Sequence, residues 1–269
     1  MVSDEEAISQ YTHNLKFLKS MKQFHRFNDS YFSSASSIRY EGDTITITME
    51  NILSDVKILR KPEFETVRYN TKLSFIPSER NLVSVIRNID QSYRSAESDV
   101  LFNYIFEWGE AAEHPKRLSF TDNIEYINDG GNDLVRLINE NKMIPAYYAS
   151  SGVQSAMPLD VMADYFTGLV GKNASVSKHD LANTLARYLG KDKELTNEML
   201  KSISNKMKYQ SGQLFIEEPE QNLYPDSQRN LTINLVCALK QAMPKGRGDS
   251  MLVMTTHSPY ILSTLNVLI

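Results

Sequence analysis

Leu214-Phe215-Ile216-Glu217-Glu218-Pro219-Glu220-Gln221-Asn222-Leu223-Tyr224-Pro225 is an apolar run that stops abruptly at two carboxylates and a proline. A short apolar run of this kind reads as a strand buried on both faces, as in a parallel sheet. Carboxylates at the carboxyl end of such a strand lie at the rim of the sheet, where ligands bind in open α/β folds. Glu217 can hold a Mg²⁺ ion, directly or through water, because that ion takes oxygen ligands and keeps several waters. Glu218 can orient or deprotonate a water that attacks a phosphate, a role worth about 10²–10⁴ in rate. The plainer alternative is that Glu-Glu-Pro-Glu only ends a strand and opens a helix.

The neighbouring sequence extends this reading. Residues 226–242 are expected to form a helix with Leu231, Ile233, Leu235 and Val236 on its apolar positions. Pro244 to Gly248 reads as a turn, and Met251-Leu252-Val253-Met254 as a second buried strand. Strand, helix and strand at this spacing make a βαβ unit, hence a mainly parallel α/β sheet. Ser258 opens a last helix with Pro259 in its first turn. Between strand and helix stands Thr255-Thr256-His257-Ser258-Pro259, which puts His257 at the same rim as Glu218. An imidazole there can donate to a γ-phosphate oxygen and help place a water; by itself, a histidine at a strand end is more often a satisfied structural residue.

Upstream, Tyr148-Ala149-Ser150-Ser151-Gly152-Val153-Gln154 precedes a helix running to about Val170. A Ser/Gly turn at a helix N-terminus is an anion site, since its amides are free and the dipole favours negative charge; without context it is only a cap. Residues 4–28 read as a helix through Leu15, Leu18, Met21 and Phe24, the Ser-rich 30–37 as a loop, and 44–49 and 64–76 as strands. Leu101, Tyr104, Ile105 and Trp108 suggest a helix face, 118–128 a strand, 132–142 a helix, and 176–210 two helices. The basic cluster Lys201, Lys206 and Lys208 reads as a solvated face. Cys237, the single cysteine, sits in an apolar run and reads as a buried core thiol; alone it excludes an intramolecular disulfide and fits a reducing compartment.

Of the 269 residues, 41% are hydrophobic and 23% charged, which suits a globular domain with a substantial core. The net charge of -4 gives no overall basic footprint for nucleic acid. No apolar run reaches the ~20 residues that span a bilayer, and the acidic, polar first residues are no signal peptide. The expected location is the cytoplasm, with no membrane partner.

Taken together, these motifs resemble ABC-type AAA ATPases of the RecF/SMC/OLD-like group. Leu214 to Pro219 resembles a Walker B motif, with Glu217 at the metal position, where most of the group have Asp, and Glu218 at the catalytic-base position. Glu220 to Pro225 resembles the D-loop, which crosses the dimer interface in that family. His257 looks like the switch, or H-loop, histidine, and the Thr-His-Ser-Pro wording is like the RecF/OLD-type branch. Ser150, Ser151, Gly152 and Gln154 look like the signature motif, which in the family contacts the γ-phosphate bound by the other subunit. Phe75-Ile76-Pro77-Ser78-Glu79-Arg80-Asn81 resembles a segment of some of these ATPases; Arg80 is open to a phosphate or interface contact, or to an internal ion pair with Glu79 or another acid. The resemblance covers residues 70–269, with its specific motifs in 148–154 and 214–260.

The resemblance implies ATP and Mg²⁺ as cofactors, and a head-to-tail homodimer driven through opening and closing by ATP. The implied setting is DNA repair, phage defence or a toxin-linked system, with DNA or a nuclease or toxin as partner. A phosphate-binding loop needs Gly-x-x-x-x-Gly-Lys-(Ser/Thr). Gly171-Lys172-Asn173 and Gly190-Lys191-Asp192 lack the final hydroxyl and the first glycine. The expectation is therefore an incomplete P-loop NTPase fold lacking its N-terminal nucleotide-binding lobe, a fragment of an ATPase with weak or no ATP binding alone. Its parts would be a single domain over 1–269, a largely helical subdomain at 80–210 holding the signature, and a Walker B and H-loop core at 211–269. Two other readings stand beside it: a degenerate ATPase fold kept as a non-catalytic interaction module, and a metal-dependent nuclease using Glu217, Glu218 and Glu220.

Overall fold

The computed structural model describes residues 14–42, 45–62, 71–86, 99–114, 117–121, 123–170, 209–242 and 250–268, with 89, 177 and 181. The chain divides into two compact units. The first is built on Met1–Tyr69 and Ser95–Val100. In it lie helix α1 (Asn14–Phe24) and strands β1 (Ile38–Glu41), β2 (Ile45–Met49) and β3 (Lys57–Arg60). The strands form an antiparallel sheet in the order β1-β2-β3. The alternation read over 44–49 is strand β2. The helix expected over 4–28 ends at Phe24, and its first ten residues lie outside the described ones. Leu18, Met49 and Val56 are the buried core of this unit.

The second unit carries the parallel sheet. Strand β4 (Thr71–Ile76) leads through a short 3-10 turn, Ser78–Asn81, into helix α2 (Leu82–Val85). Helix α3 (Val100–Glu113) buries Tyr104, Ile105 and Trp108, as the sequence spacing predicts. Four antiparallel strands follow: β5 (Arg117–Thr121), β6 (Ile124–Asp129), β7 (Asn132–Leu137) and β8 (Lys142–Pro145). The helix expected over 132–142 is thus a β-hairpin, and the span 80–210 is not helical throughout. Gly130 and Gly131 explain it: both adopt positive φ, of 57° and 87°, and close a two-residue turn between β6 and β7. The two helices expected over 176–210 and the cluster Lys201, Lys206 and Lys208 lie outside the described residues.

After helix α4 (Ser151–Leu169) come strand β9 (Ser211–Glu217), helix α5 (Pro225–Ala242), strand β10 (Met251–Thr255) and helix α6 (Pro259–Leu268). The sheet order is β10-β9-β4, parallel throughout. This is the βαβ unit read from the sequence, with β9 in the centre. Its register pairs Ile76 with Ile216 and Thr255 with Glu217. One face of the sheet, bearing Ile76, Leu214 and Ile216, packs into the core with α3, α4 and α5. A buried ion pair helps hold α3: Lys72 Nζ on β4 lies 2.7 Å from Glu107 Oε1.

The opposite face is partly exposed. Leu73 is 59% exposed and Met251 41%, and Phe75, Phe215 and Val253 beside them stay outside the packed core. Cys237 is exposed, against the expectation of a buried thiol. At about 100° per residue along a helix, a phase that turns Leu231 and Leu235 inward turns Cys237 out.

Helix α4 approaches β9 over Gly212, where an added Cβ would lie 2.3 Å from Phe166 Cζ and 3.1 Å from Val170 Cγ2. Overpacking of this kind costs roughly 1–3 kcal/mol. Gly212→Ala should lower the thermal midpoint by several degrees, and Phe166→Leu in the same chain should recover part of the loss; a calorimetric scan of the three proteins checks both.

Candidate functional site

The site is built on the carboxyl ends of β9 and β10. Glu217 ends the central strand, and one of its carboxylate oxygens, Oε2, accepts from the Ser78 amide at 3.3 Å. The other oxygen has no partner among the described residues. Glu218 leaves the sheet with φ of 42°, in the left-handed region. For a residue with a side chain this costs on the order of 1–3 kcal/mol and persists only where neighbours over-determine it. Here they do. The Glu218 amide donates to the Thr255 carbonyl at 2.9 Å. Its carbonyl accepts from Gln221 N at 3.1 Å and from Arg80 Nη2 at 2.8 Å. The Glu218 carboxylate itself makes no hydrogen bond among the described residues, though its charge acts on the nearby Arg80.

Arg80 is wholly buried, at 0% exposure. It meets neither Glu79 nor another acid as an ion pair among the described residues; every hydrogen bond its guanidinium makes among them goes to a carbonyl. Nε reaches Ser155 O at 3.1 Å, Nη1 reaches Glu217 O at 2.9 Å, and Nη2 reaches Glu218 O and, at 3.4 Å, Pro219 O. Burial lowers its affinity for the proton, while Tyr104, Glu220 and Glu218 oppose that shift. This answers the alternatives left open by the sequence: Arg80 grips backbone.

Past the carboxylates, Glu220 turns towards β10. Its Oε2 accepts from Thr256 Oγ1 at 2.8 Å and its Oε1 from the His257 amide at 2.7 Å. One carboxylate thereby fixes the loop that carries His257, whose side chain is exposed and uncommitted among the described residues. Ser258 caps α6, its hydroxyl accepting from Tyr260 N and donating to Gln228 Oε1. Gln228 Nε2 in turn holds Leu223 O at 2.8 Å. The structure therefore brings Glu217, Glu218 and His257 to one rim. It does not gather Glu217, Glu218 and Glu220 as a metal cluster, since Glu220 is spent on the β10 loop; among the described residues no group of three such ligands stands together. Gln221 Oε1, in the same turn, is the one buried side-chain polar atom with no donor among the described residues.

Ser150 is the cap of α4, its hydroxyl accepting from Val153 N at 3.5 Å. The amides of Ser151 and Gly152 have no partners among the described residues, as the first turn of a helix leaves them. Gly152 is a close approach: a Cβ would lie 3.1 Å from Asn222 O. The Gln154 side chain instead braces the preceding turn, donating to Ala146 O and Tyr147 O at 3.3 and 3.0 Å. Beside this turn lies a cavity of about 630 Å³ lined by Ser150, Gly152, Asp160, Asn222 and Asn234. Asp160 is not singled out by the sequence, and neither are the contacts that Glu220, Asn222 and Arg80 make here, because their partners are distant in the chain.

A family model described as AAA ATPase domain matches residues 6–262. It takes in the first unit, where the sequence offered no usable motif. No curated protein matches the chain. No helix among the described residues is long and apolar enough to cross a membrane.

Burial pushes the Asp160 carboxyl up to about 7, against an opposing hydrogen bond with Asn234. The folded chain then holds this proton more tightly than the unfolded one, so Asp160 lowers stability as pH rises from the ordinary carboxylate range towards 7. Asp160→Asn removes that slope. Urea midpoints at pH 5 and pH 8 should fall less between the two for the variant than for the wild type.

Proposed function

The chain belongs to the AAA ATPase domain family, and from that premise we propose that it carries the catalytic rim of an ATP-hydrolysing, ABC-type ATPase. One observation supports this most. In a turn where nearly every polar group is committed, the carboxylate of Glu218, one oxygen of Glu217 and the imidazole of His257, all at the carboxyl ends of β9 and β10, accept or donate no hydrogen bond among the described residues.

Glu218 is then the general base, holding the attacking water and taking its proton. His257 donates to the γ-phosphate oxygens as their charge grows. Glu217, with one oxygen anchored by Ser78, offers the other to Mg²⁺, which when bound neutralises phosphate charge. The longer Glu in place of Asp is compensated by the Ser78 amide, which fixes the end of the side chain. The start of α4 fits an anion, with the unpartnered amides of Ser151 and Gly152 at a helix N-terminus. Ser150, Ser151 and Gly152 would meet the γ-phosphate of ATP held by a second subunit, in a head-to-tail homodimer. Gln154 supports that turn from behind. Such a site works by positioning and charge stabilisation.

The phosphate cradle is the missing part, since no Gly-x-x-x-x-Gly-Lys-(Ser/Thr) stands in the sequence. Parallel sheets are normally covered on both faces. The partly exposed face with Leu73, Phe75, Phe215, Met251 and Val253 is a surface on which a nucleotide-binding lobe would dock. By family resemblance, ATP-driven dimer switching would act in DNA repair, phage defence or a toxin-linked system. The alternative is an interaction module that keeps the fold without turnover.

The test is ATP hydrolysis by the natural full-length gene product, by this chain, and by Glu218→Gln. Turnover in the full product, about 10²–10⁴-fold lower in Glu218→Gln and absent from this chain alone, is the expected result. No turnover in any form would sink the enzyme reading and favour the interaction module.

A further inference from the structure

We infer that Arg80 is a positioning residue that couples the start of α4 to the carboxylate turn, so that a shift of the Ser150–Gly152 turn is felt at Glu218. This rests on the ATPase reading above for its functional consequence, but its geometry stands apart from it.

A guanidinium is a planar, rigid fork of donors. Here the fork joins two elements. Nε takes Ser155 O on α4, while Nη1 and Nη2 take the carbonyls of Glu217 and Glu218 at 2.9 and 2.8 Å. Arg80 is itself held at both ends, its amide donating to Pro77 O at 3.3 Å and its carbonyl accepting from Tyr104 OH at 2.9 Å. A second tie reaches the same residue of α4: Asn222 Nδ2 donates to Ser155 Oγ at 2.9 Å. Asn222, like Glu218, has a positive φ, of 60°. Ser155 is fully buried and stands just past the first turn of α4. One helix residue thus carries two links to the turn, one through its backbone and one through its side chain.

The consequence is directional. The unpartnered amides of Ser151 and Gly152 stand at the start of α4, and Ser155 is rigidly joined to them by the helix. When an anion draws that helix end, Ser155 O moves with it, and the fork passes the movement to the carbonyls of Glu217 and Glu218. The Glu218 backbone has no slack to absorb it, being fixed on its amide side by Thr255 O. The signature turn of one site therefore sets the aim of the base belonging to the other.

The experiment compares Arg80→Lys, Arg80→Met and Asn222→Ala with the wild type in the full-length natural protein. It reads kcat and KM for ATP, the thermal midpoint, and amide exchange in peptides covering 150–157 and 217–223. A folded Arg80→Met should lose about 10²-fold in kcat, as misplacement of a catalytic group by about 1 Å does, with KM little changed. Arg80→Lys should fail to rescue it, because an ammonium lacks the fork. Asn222→Ala should lose less, in the same direction, and should serve in place of Arg80→Met if that variant does not fold. Exchange should rise in both peptides together. Wild-type kcat in a folded Arg80→Met, or a rise confined to one peptide, overturns the proposal. If the wild type and Glu218→Gln are equally inactive, the ATPase reading has failed; the paired rise in exchange then still supports the coupling, and its absence rejects it.

Discussion

The parallel register of β4, β9 and β10 is the constraint on which the site depends. With Ile76 opposite Ile216 and Glu217 opposite Thr255, three strand ends stop at one level. The three turns that follow are then neighbours. Ser78 reaches Glu217, Arg80 reaches the carbonyls of Glu217, Glu218 and Pro219, and Glu220 reaches Thr256 and His257. A slip of one residue would turn Leu214 and Ile216 out of the core and Glu217 to the other face. The apolar pattern that buries one face therefore also places the chemistry, and stability and site share one cause.

Much of this was legible because a strand buried by two parallel neighbours has little freedom in composition. Leu214 to Ile216 stood out for this reason, and the abrupt carboxylates after it marked the rim; Met251 to Met254 is as apolar, but it forms the edge strand β10, which has one neighbour and is partly exposed where a buried strand was expected. The helix cap at Ser150 was legible for a similar reason, since a free helix end needs a short polar acceptor. The hairpin over 132–145 was misread because Leu134, Val135 and Leu137 fall at spacings that a helix also permits. The signal that corrects it is local: Gly130-Gly131 after a strand favours the positive φ values of a tight hairpin turn. Cys237 was misplaced by reading an apolar run without its phase.

What stayed hidden is of another kind. Nothing near Arg80 in sequence indicates that its partners are carbonyls 75 to 139 residues away. Glu220 reads as one more acid in an acidic turn until β10 brings Thr256 and the His257 amide to it. These contacts belong to the packed arrangement of three loops. They hold a strained backbone at Glu218 and Asn222, and strain of that sort marks where a fold serves something besides its own stability.

Arg80 also has a bearing on how this turn meets its surroundings. Clusters of inward-turned carbonyls are commonly held by a dissolved cation, which comes and goes with its concentration and competes with other ions. Here the cation is tethered to the chain, is shut off from bulk solvent, and cannot dissociate. Mobile ions screen exposed charges but reach a buried one weakly. The scaffold under the carboxylates is therefore indifferent to the ionic medium, and salt can act on this protein at its rim and its surfaces while the mount beneath them keeps its shape.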